Sequence, residues 1–219
     1  MPTESKIKDP LTGIQAPTPR KANGHKENGK SAIKTKGSSA REVIEAKRGI
    51  VLDIGCGDEE SHYPGAVGMD KQDLSGVDIV HDWNDFPWPF EDGEVLTIIA
   101  SHVIEHVNPV DGHFIRWMDE AWRVLRTGGQ MAIVTPYAGS SLFWQDPTHC
   151  NGVTERTMWY FAPHHPSRYH VFYHPKPWWI EQCYFNTEGM LESVLRKIED
   201  DPEFHILGSR DIPTAGTGA

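Results

Sequence analysis

Four short apolar runs in this sequence end in residues able to hold a ligand. Gly49-Ile50-Val51-Leu52-Asp53 leads into Gly55-Cys56-Gly57, Ala66-Val67-Gly68-Met69 ends in Asp70, Val77-Asp78-Ile79-Val80-His81 ends in Asp82, and Glu94 to Ala100 ends in Ser101-His102. A glycine turn lets backbone approach a ligand closely. A carboxylate after the second run is placed to accept two hydrogen bonds from ribose hydroxyls, the role open to Asp70. Asp82, after the third, is placed to accept from an exocyclic amine such as that of adenine, and its charge strengthens the bond.

A second set of groups could move protons or hold a metal. His102, Glu105 and His106 stand at i, i+3 and i+4, which on a helix puts them on one face. The spacing H-x-x-E-H is also the inverted zinc-protease signature, so a metallohydrolase is an alternative function. Completed by His149, this nitrogen-rich set would favour zinc, manganese or iron over magnesium. The simpler assignment, preferred over a metal, has Glu105 and His106 capping or packing the helix and His102 abutting the ligand. His102, His106, Asp146 and His149 are then candidate bases, since an imidazole titrates near neutrality.

These residues need a scaffold that brings strand ends together. The runs read as buried strands of a parallel sheet, with Glu94–Ala100 central and covered on both faces. Phe114, Ile115, Met118, Ala121, Trp122 and Leu125 share one helical stripe, which Gly128-Gly129 is expected to stop as a C-cap. Met131–Thr135 follows as a strand, so the order strand, helix, strand implies a right-handed crossover. Trp178–Phe185 and Met190–Ile198 flank Asn186-Thr187-Glu188-Gly189 and read as an antiparallel hairpin. The expected fold is α/β, a Rossmann-like, mostly parallel sheet with a C-terminal antiparallel hairpin, in a single domain.

Charge distinguishes the cofactors that such a crevice could take. A dinucleotide brings a pyrophosphate, which calls for a third glycine and a helix N-terminus, but the turn continues Asp58-Glu59-Glu60. S-adenosylmethionine (SAM) brings a sulfonium cation and no phosphate, which suits an acidic loop without a long first helix. SAM is favoured over a nicotinamide cofactor.

The chain has 219 residues, 38% of them hydrophobic and 24% charged, with a formal charge of -10. Residues 1–40 are rich in Lys, Gly, Pro and Ser without apolar periodicity and read as a disordered basic tail, with a short helical entry at Ser39–Arg48 and the domain at 41–219. The tail's bland reading is a solubilising or added segment. The remainder is net acidic, so bulk nucleic-acid binding is not expected. No apolar run reaches bilayer-spanning length and no targeting pattern opens the sequence, so a cytoplasmic location is expected. Three cysteines at long spacings argue against a disulfide framework.

Val51-Leu52-Asp53-Ile54-Gly55-Cys56-Gly57 resembles motif I of class I SAM-dependent methyltransferases. Asp82 through Phe90-Glu91-Asp92, Ser101 to Val107, and Glu120 to Gly129 resemble the segments that follow it in the type 11 methyltransferase group. The resemblance covers residues 49 to 136 and extends through Asp146-Pro147-Thr148-His149, a segment associated with bacterial and phage members. It implies that Asp53, Gly55 and Gly57 hold the methionine moiety, Asp70 the ribose, and Asp82 and Trp83 the adenine, while Ser101 and His102 border the transferred methyl; Cys56, inside motif I, is counted with the cofactor-binding residues. The segment 102–106 is also similar to the E-x-x-E-H of O-methyltransferases whose acceptor oxygen is activated by a divalent ion; His102 replaces the first glutamate. The helix after motif I is shortened relative to the family.

Residues 137–179 carry ten aromatic side chains between Phe143 and Trp179. An insertion of this kind is expected to cover the crevice and stack a flat acceptor, although most of its rings serve packing. His164, His165, His170 and His174 show no ligand spacing. The expected activity is methyl transfer to oxygen or nitrogen of a small molecule, saccharide or nucleotide, with a SAM-binding module lacking transferase activity as a further alternative. The oligomeric state is not encoded in these features.

Overall fold

The structure, a computed structural model, describes residues 34–35 and 49–205. Among these residues eight strands form one sheet: β1 (Lys34–Thr35), β2 (Ile50–Ile54), β3 (Val67–Asp70), β4 (Ile79–Val80), β5 (Val95–Ser101), β6 (Leu125–Pro136), β7 (Trp178–Phe185) and β8 (Met190–Lys197). Their spatial order is β1-β4-β3-β2-β5-β6-β8-β7. Strands β4, β3, β2, β5 and β6 run parallel, while β1, β8 and β7 are antiparallel to their neighbours. The chain steps outward from β2 to β4 and then returns to β5 on the other side. This reversal between β2 and β5 creates the crevice in which open α/β sheets bind ligands.

Among the described residues one long helix, α1 (His113–Val124), crosses between parallel strands, and it buries Phe114, Trp117, Met118, Ala121 and Val124. Trp117 meets Trp88 edge-on at 5.3 Å, and Phe114 meets Phe161 at 5.7 Å. Glu120 and Arg123 fasten the 88–92 segment to this helix. Arg123 grips both carboxylate oxygens of Glu120 at 2.9 and 2.7 Å, donates to the carbonyl of Phe90 and pairs with Asp92. Glu120 also accepts from the backbone N–H of Trp88 at 2.6 Å.

The connections from β2 to β3 and from β3 to β4 contain no helix. Asp58 closes one turn by accepting from the N–H of Ser61, and Pro64-Gly65 prevents its continuation. The loops then nest closely. A Cβ at Gly76 would lie 2.6 Å from the Asp58 backbone, so only glycine allows this approach.

Several sequence-based expectations change. Gly128-Gly129 does not stop the helix: α1 ends at Val124, and Leu125 turns extended because it pairs with Val95 in the sheet. The Arg123 carbonyl left at the helix end accepts from the N–H of Gly93 at 2.9 Å, so no glycine cap is needed. Strand β5 is not uniformly covered, since Val95, Ile98 and Ala100 are buried while Leu96, Thr97 and Ile99 are partly exposed. The third strand is only Ile79–Val80, leaving Asp82 in the loop beyond it. Lys34 and Thr35, expected to be disordered, pair with Val80 and Ile79. The expected helical entry and the rest of the basic tail lie outside the described residues. Strands β7 and β8 form the expected hairpin, and among the described residues no helix is long and apolar enough to cross a membrane.

Candidate functional site

The candidate cofactor wall begins at Gly55 and Gly57, both at positive φ (63° and 69°). The N–H of Gly57 donates to Oδ2 of Asp70 at 3.1 Å, and that of Gln72 donates to Oδ1 at 2.9 Å. A carboxylate offers about four acceptor sites, so Asp70 keeps capacity for about two further donors. Asp53 is buried, and its Oδ2 accepts from the N–H of Tyr63 at 2.8 Å and contacts Nδ1 of His62 at 3.1 Å. Its visible role is to hold the 58–65 loop. The Cys56 side chain is fully buried beside the carbonyls of Gly57 and Gly76, so this expected cofactor residue offers only backbone to a ligand.

Asp82 accepts through Oδ1 from the backbone and side-chain nitrogens of Asn84 at 2.9 and 3.1 Å. Trp83 is buried beneath the Lys71 ammonium, 5.0 Å from the ring centroid, and its Nε1 has no hydrogen-bond partner among the described residues. At the end of β5, Ser101 Oγ is likewise buried without a partner, and His102 sits in the left-handed region at φ 55°. The His102 N–H donates to the carbonyl of Val134 at 2.8 Å, so the turn off the strand is held by its neighbour.

The helix expected to carry His102, Glu105 and His106 is absent. Ile104–His106 forms a single 3-10 turn, and His102 lies before it with left-handed backbone. The inverted zinc-protease geometry needs both histidines one helical turn apart, so the metallohydrolase alternative loses its scaffold. What converges instead is Glu105, His106 and His149, whose ligand atoms lie within 4.8 Å of one another. Glu105 is fully buried, with Oε2 accepting from the Thr135 hydroxyl at 2.9 Å. His102 Nδ1 lies 3.3 Å from Oε1 without hydrogen-bond alignment.

The 146–151 loop is stitched to this turn. The N–H groups of Cys150 and Asn151 both donate to the Glu105 carbonyl, at 2.9 and 3.0 Å, and the Asn151 side chain donates to the Ile104 carbonyl. Asp146 accepts from both the N–H and the hydroxyl of Thr148, bonds that hold its carboxyl below the usual range. Burial lowers the His106 pKa, which keeps the ring neutral near pH 7. All four candidate bases therefore lie on two joined segments, but Asp146 faces Thr148 and His149 while His102 faces Glu105.

Sequence reasoning missed His62, Thr135, Thr148 and Asn151. No spacing signals them, because each meets its partner only through the sheet or a loop. A cleft of about 320 Å³ beside the site is lined by Asn84, His106, Asp111, His113 and Arg116 among others. The aromatic insertion divides: Phe143, Phe161 and Trp178 are buried, whereas Trp144, Phe172 and Tyr173 are exposed. His165 stacks on Trp159 and His164 on Trp179, so these two histidines serve ring packing.

No known family profile and no curated sequence matches the chain. Among solved structures it is similar to a SAM-dependent methyltransferase from Archaeoglobus fulgidus, with 20% identity and a TM-score of 0.43, covering 56% of this chain and 66% of that one. It thus spans just under two thirds of that relative. It is also similar to the N-methyltransferase NodS from Bradyrhizobium japonicum WM9 in complex with S-adenosyl-L-homocysteine, with 13% identity and a TM-score of 0.47, covering 69% and 79%. A third is the 16S rRNA (adenine(1408)-N(1))-methyltransferase from Catenulisporales acidiphilia, with 11% identity and a TM-score of 0.49, covering 74% and 90%. At these values the likeness is one of chain path, and what the crevice can hold depends on this chain's own side chains.

Proposed function

We propose that this chain is a SAM-dependent methyltransferase acting on an oxygen or nitrogen of a small-molecule, saccharide or nucleotide acceptor. The observation that carries the reading is the union of a buried, half-satisfied Asp70 with a β2–β3 connection that contains no helix. Without a helix N-terminus, and with Asp58, Glu59 and Glu60 in that connection, a pyrophosphate has neither donors nor favourable charge. An adenosine bearing a sulfonium meets acceptors for its ribose and an acidic surrounding for its positive charge.

In this reading Gly55 and Gly57 lie against the methionine moiety, Asp70 takes the ribose, and Asp82 and Trp83 border the adenine. Ser101 and His102 flank the methyl group. Transfer breaks the bond from sulfur to methyl and forms one from methyl to the acceptor atom, while the acceptor proton passes to a base. The chain's contribution is alignment and proton removal, for which His102, His106, Asp146 and His149 stand ready.

Calorimetry with SAM, S-adenosylhomocysteine and NAD tests the cofactor. SAM and its product bind and NAD does not; binding of NAD alone, or of none of the three, ends this reading. Methylation of acceptor panels with labelled SAM separates an enzyme from a binding module.

A further inference from the structure

We propose that the cleft between the loop after β4 and the start of α1 is a subsite for a small hydroxylated oxyanion, a carboxylate or a phosphate ester, gripped by Arg116. That this molecule is the methyl acceptor rests on the function proposed above. The space, about 320 Å³, is lined by Asn84, His106, Asn108, Asp111, His113 and Arg116 among others. This volume lies at the lower end of the range for small-molecule sites, so the cleft admits one compact molecule or one terminal unit of a larger one.

Arg116 carries a charge that the protein leaves uncompensated. Arg123, Lys176 and Arg196 are each paired with carboxylates, whereas Arg116 is exposed and enters no ion pair among the described residues. A guanidinium presents a planar fork that matches an oxyanion through two parallel hydrogen bonds. A chain of polar contacts, whose directions follow from the donors, holds this fork in place of a carboxylate. The Asn84 amide nitrogen donates to Oδ1 of Asp82 at 3.1 Å, which turns the amide oxygen toward Nε2 of His113, also at 3.1 Å. That oxygen can only accept, so Nε2 bears the proton and Nδ1 the lone pair. Nη2 of Arg116 lies 3.5 Å from this Nδ1. Burial, and then the charge of Arg116, lower the His113 pKa, which keeps the ring neutral and Nδ1 able to accept. One edge of the guanidinium is thus oriented, and its other N–H groups, unengaged among the described residues, are left for a ligand.

The remaining lining groups define the rest of that ligand. Asp111 is the one carboxylate among them; it is exposed and stands apart from Arg116. A carboxylate so placed repels a bare anion but accepts from a hydroxyl or an amine. A molecule with an oxyanion at one end and such a donor at the other satisfies both. His106, a candidate base, borders the same space, so the anchor and the proton acceptor serve one occupant.

The test uses the full chain with glycerol 3-phosphate and 3-hydroxybenzoate as probes, and glycerol and phenol as their neutral counterparts, all titrated at constant ionic strength. Binding is followed by NMR, through line broadening of the probe and the Nε–H signal of Arg116. The wild type binds at least one of the two anions saturably, shifts that signal, and binds the neutral counterpart about 10-fold more weakly. Arg116→Gln weakens the anion about 10-fold or more, and Arg116→Lys, which keeps charge without the fork, restores part of the loss. His113→Phe, which removes the acceptor beneath the guanidinium, weakens it about 3-fold. Equal anion affinity in the wild type and Arg116→Gln, or no saturable binding of either anion, overturns the subsite. SAM affinity on the same samples is unchanged by Arg116→Gln. Anion binding by a wild type that fails to bind SAM would end the methyltransferase reading and leave the subsite standing.

Discussion

The two wings of the sheet are built in different ways. On one side β6, β7 and β8 are 12, 8 and 8 residues long and pair by long ladders, that of β6 with β8 unbroken and that of β7 with β8 shifted once between Ile180 and Gln182. On the other, β3 and β4 have only 4 and 2 residues, and the loops between them are held by aspartates that accept backbone N–H groups. Asp53 holds Tyr63, Asp58 holds Ser61, Asp70 holds Gly57 and Gln72, Asp78 holds Gly68, and Asp82 holds Asn84. Carboxylate-to-backbone bonds on the cofactor side do work that crossover helices do in larger sheets. In the proposed function the same residue type both staples the loops and offers acceptors to the cofactor.

This contrast can be broken by substitution. Leu195→Ala, in the fully buried centre of β8, should lower unfolding free energy by about 2 to 5 kcal/mol in denaturant titrations. An equally large loss from any one loop aspartate would make the wings alike. Arg123→Ala leaves the buried Glu120 carboxylate without its guanidinium, with only the Trp88 N–H still donating to it, and should cost about 3 kcal/mol. Asp70→Ala should weaken SAM by about 1.5 to 3 kcal/mol in calorimetry, the range for a charge-assisted contact, and unchanged affinity would remove Asp70 from the site. Asp78→Ala should cost about 1 kcal/mol and raise amide exchange at Gly68 without reaching β7 or β8. Tyr184→Phe, which removes an exposed contact to Glu192, should change stability by less than about 0.5 kcal/mol.

The wings also differ in how far the sequence reveals them. Periodic apolar runs locate β2, β3, β5 and the β7–β8 hairpin because side-chain burial imposes the pattern directly. Gly128-Gly129 misleads because the end of α1 is satisfied from outside the helix, by Gly93, and no local rule sees a partner 30 residues away. The segment 102–106 misleads similarly: its spacing fits a helix, but the left-handed backbone at His102 and the pull of the 149–151 loop leave one tight turn. Asp70 was legible as a strand-end acceptor, whereas its bonds to Gly57 and Gln72 were not. The contacts of Thr135 with Glu105 and of Thr148 with His106 span 30 and 42 positions and exist only once the sheet is assembled.

The double tether on the Glu105 carbonyl has a mechanical consequence. Because Cys150 and Asn151 hang from the same oxygen, and Asn151 also grips Ile104, the two segments can shift only together. A displacement of the Ile104–Glu105 turn is thus passed with little slack to the 150–151 segment, which adjoins His149 in the chain.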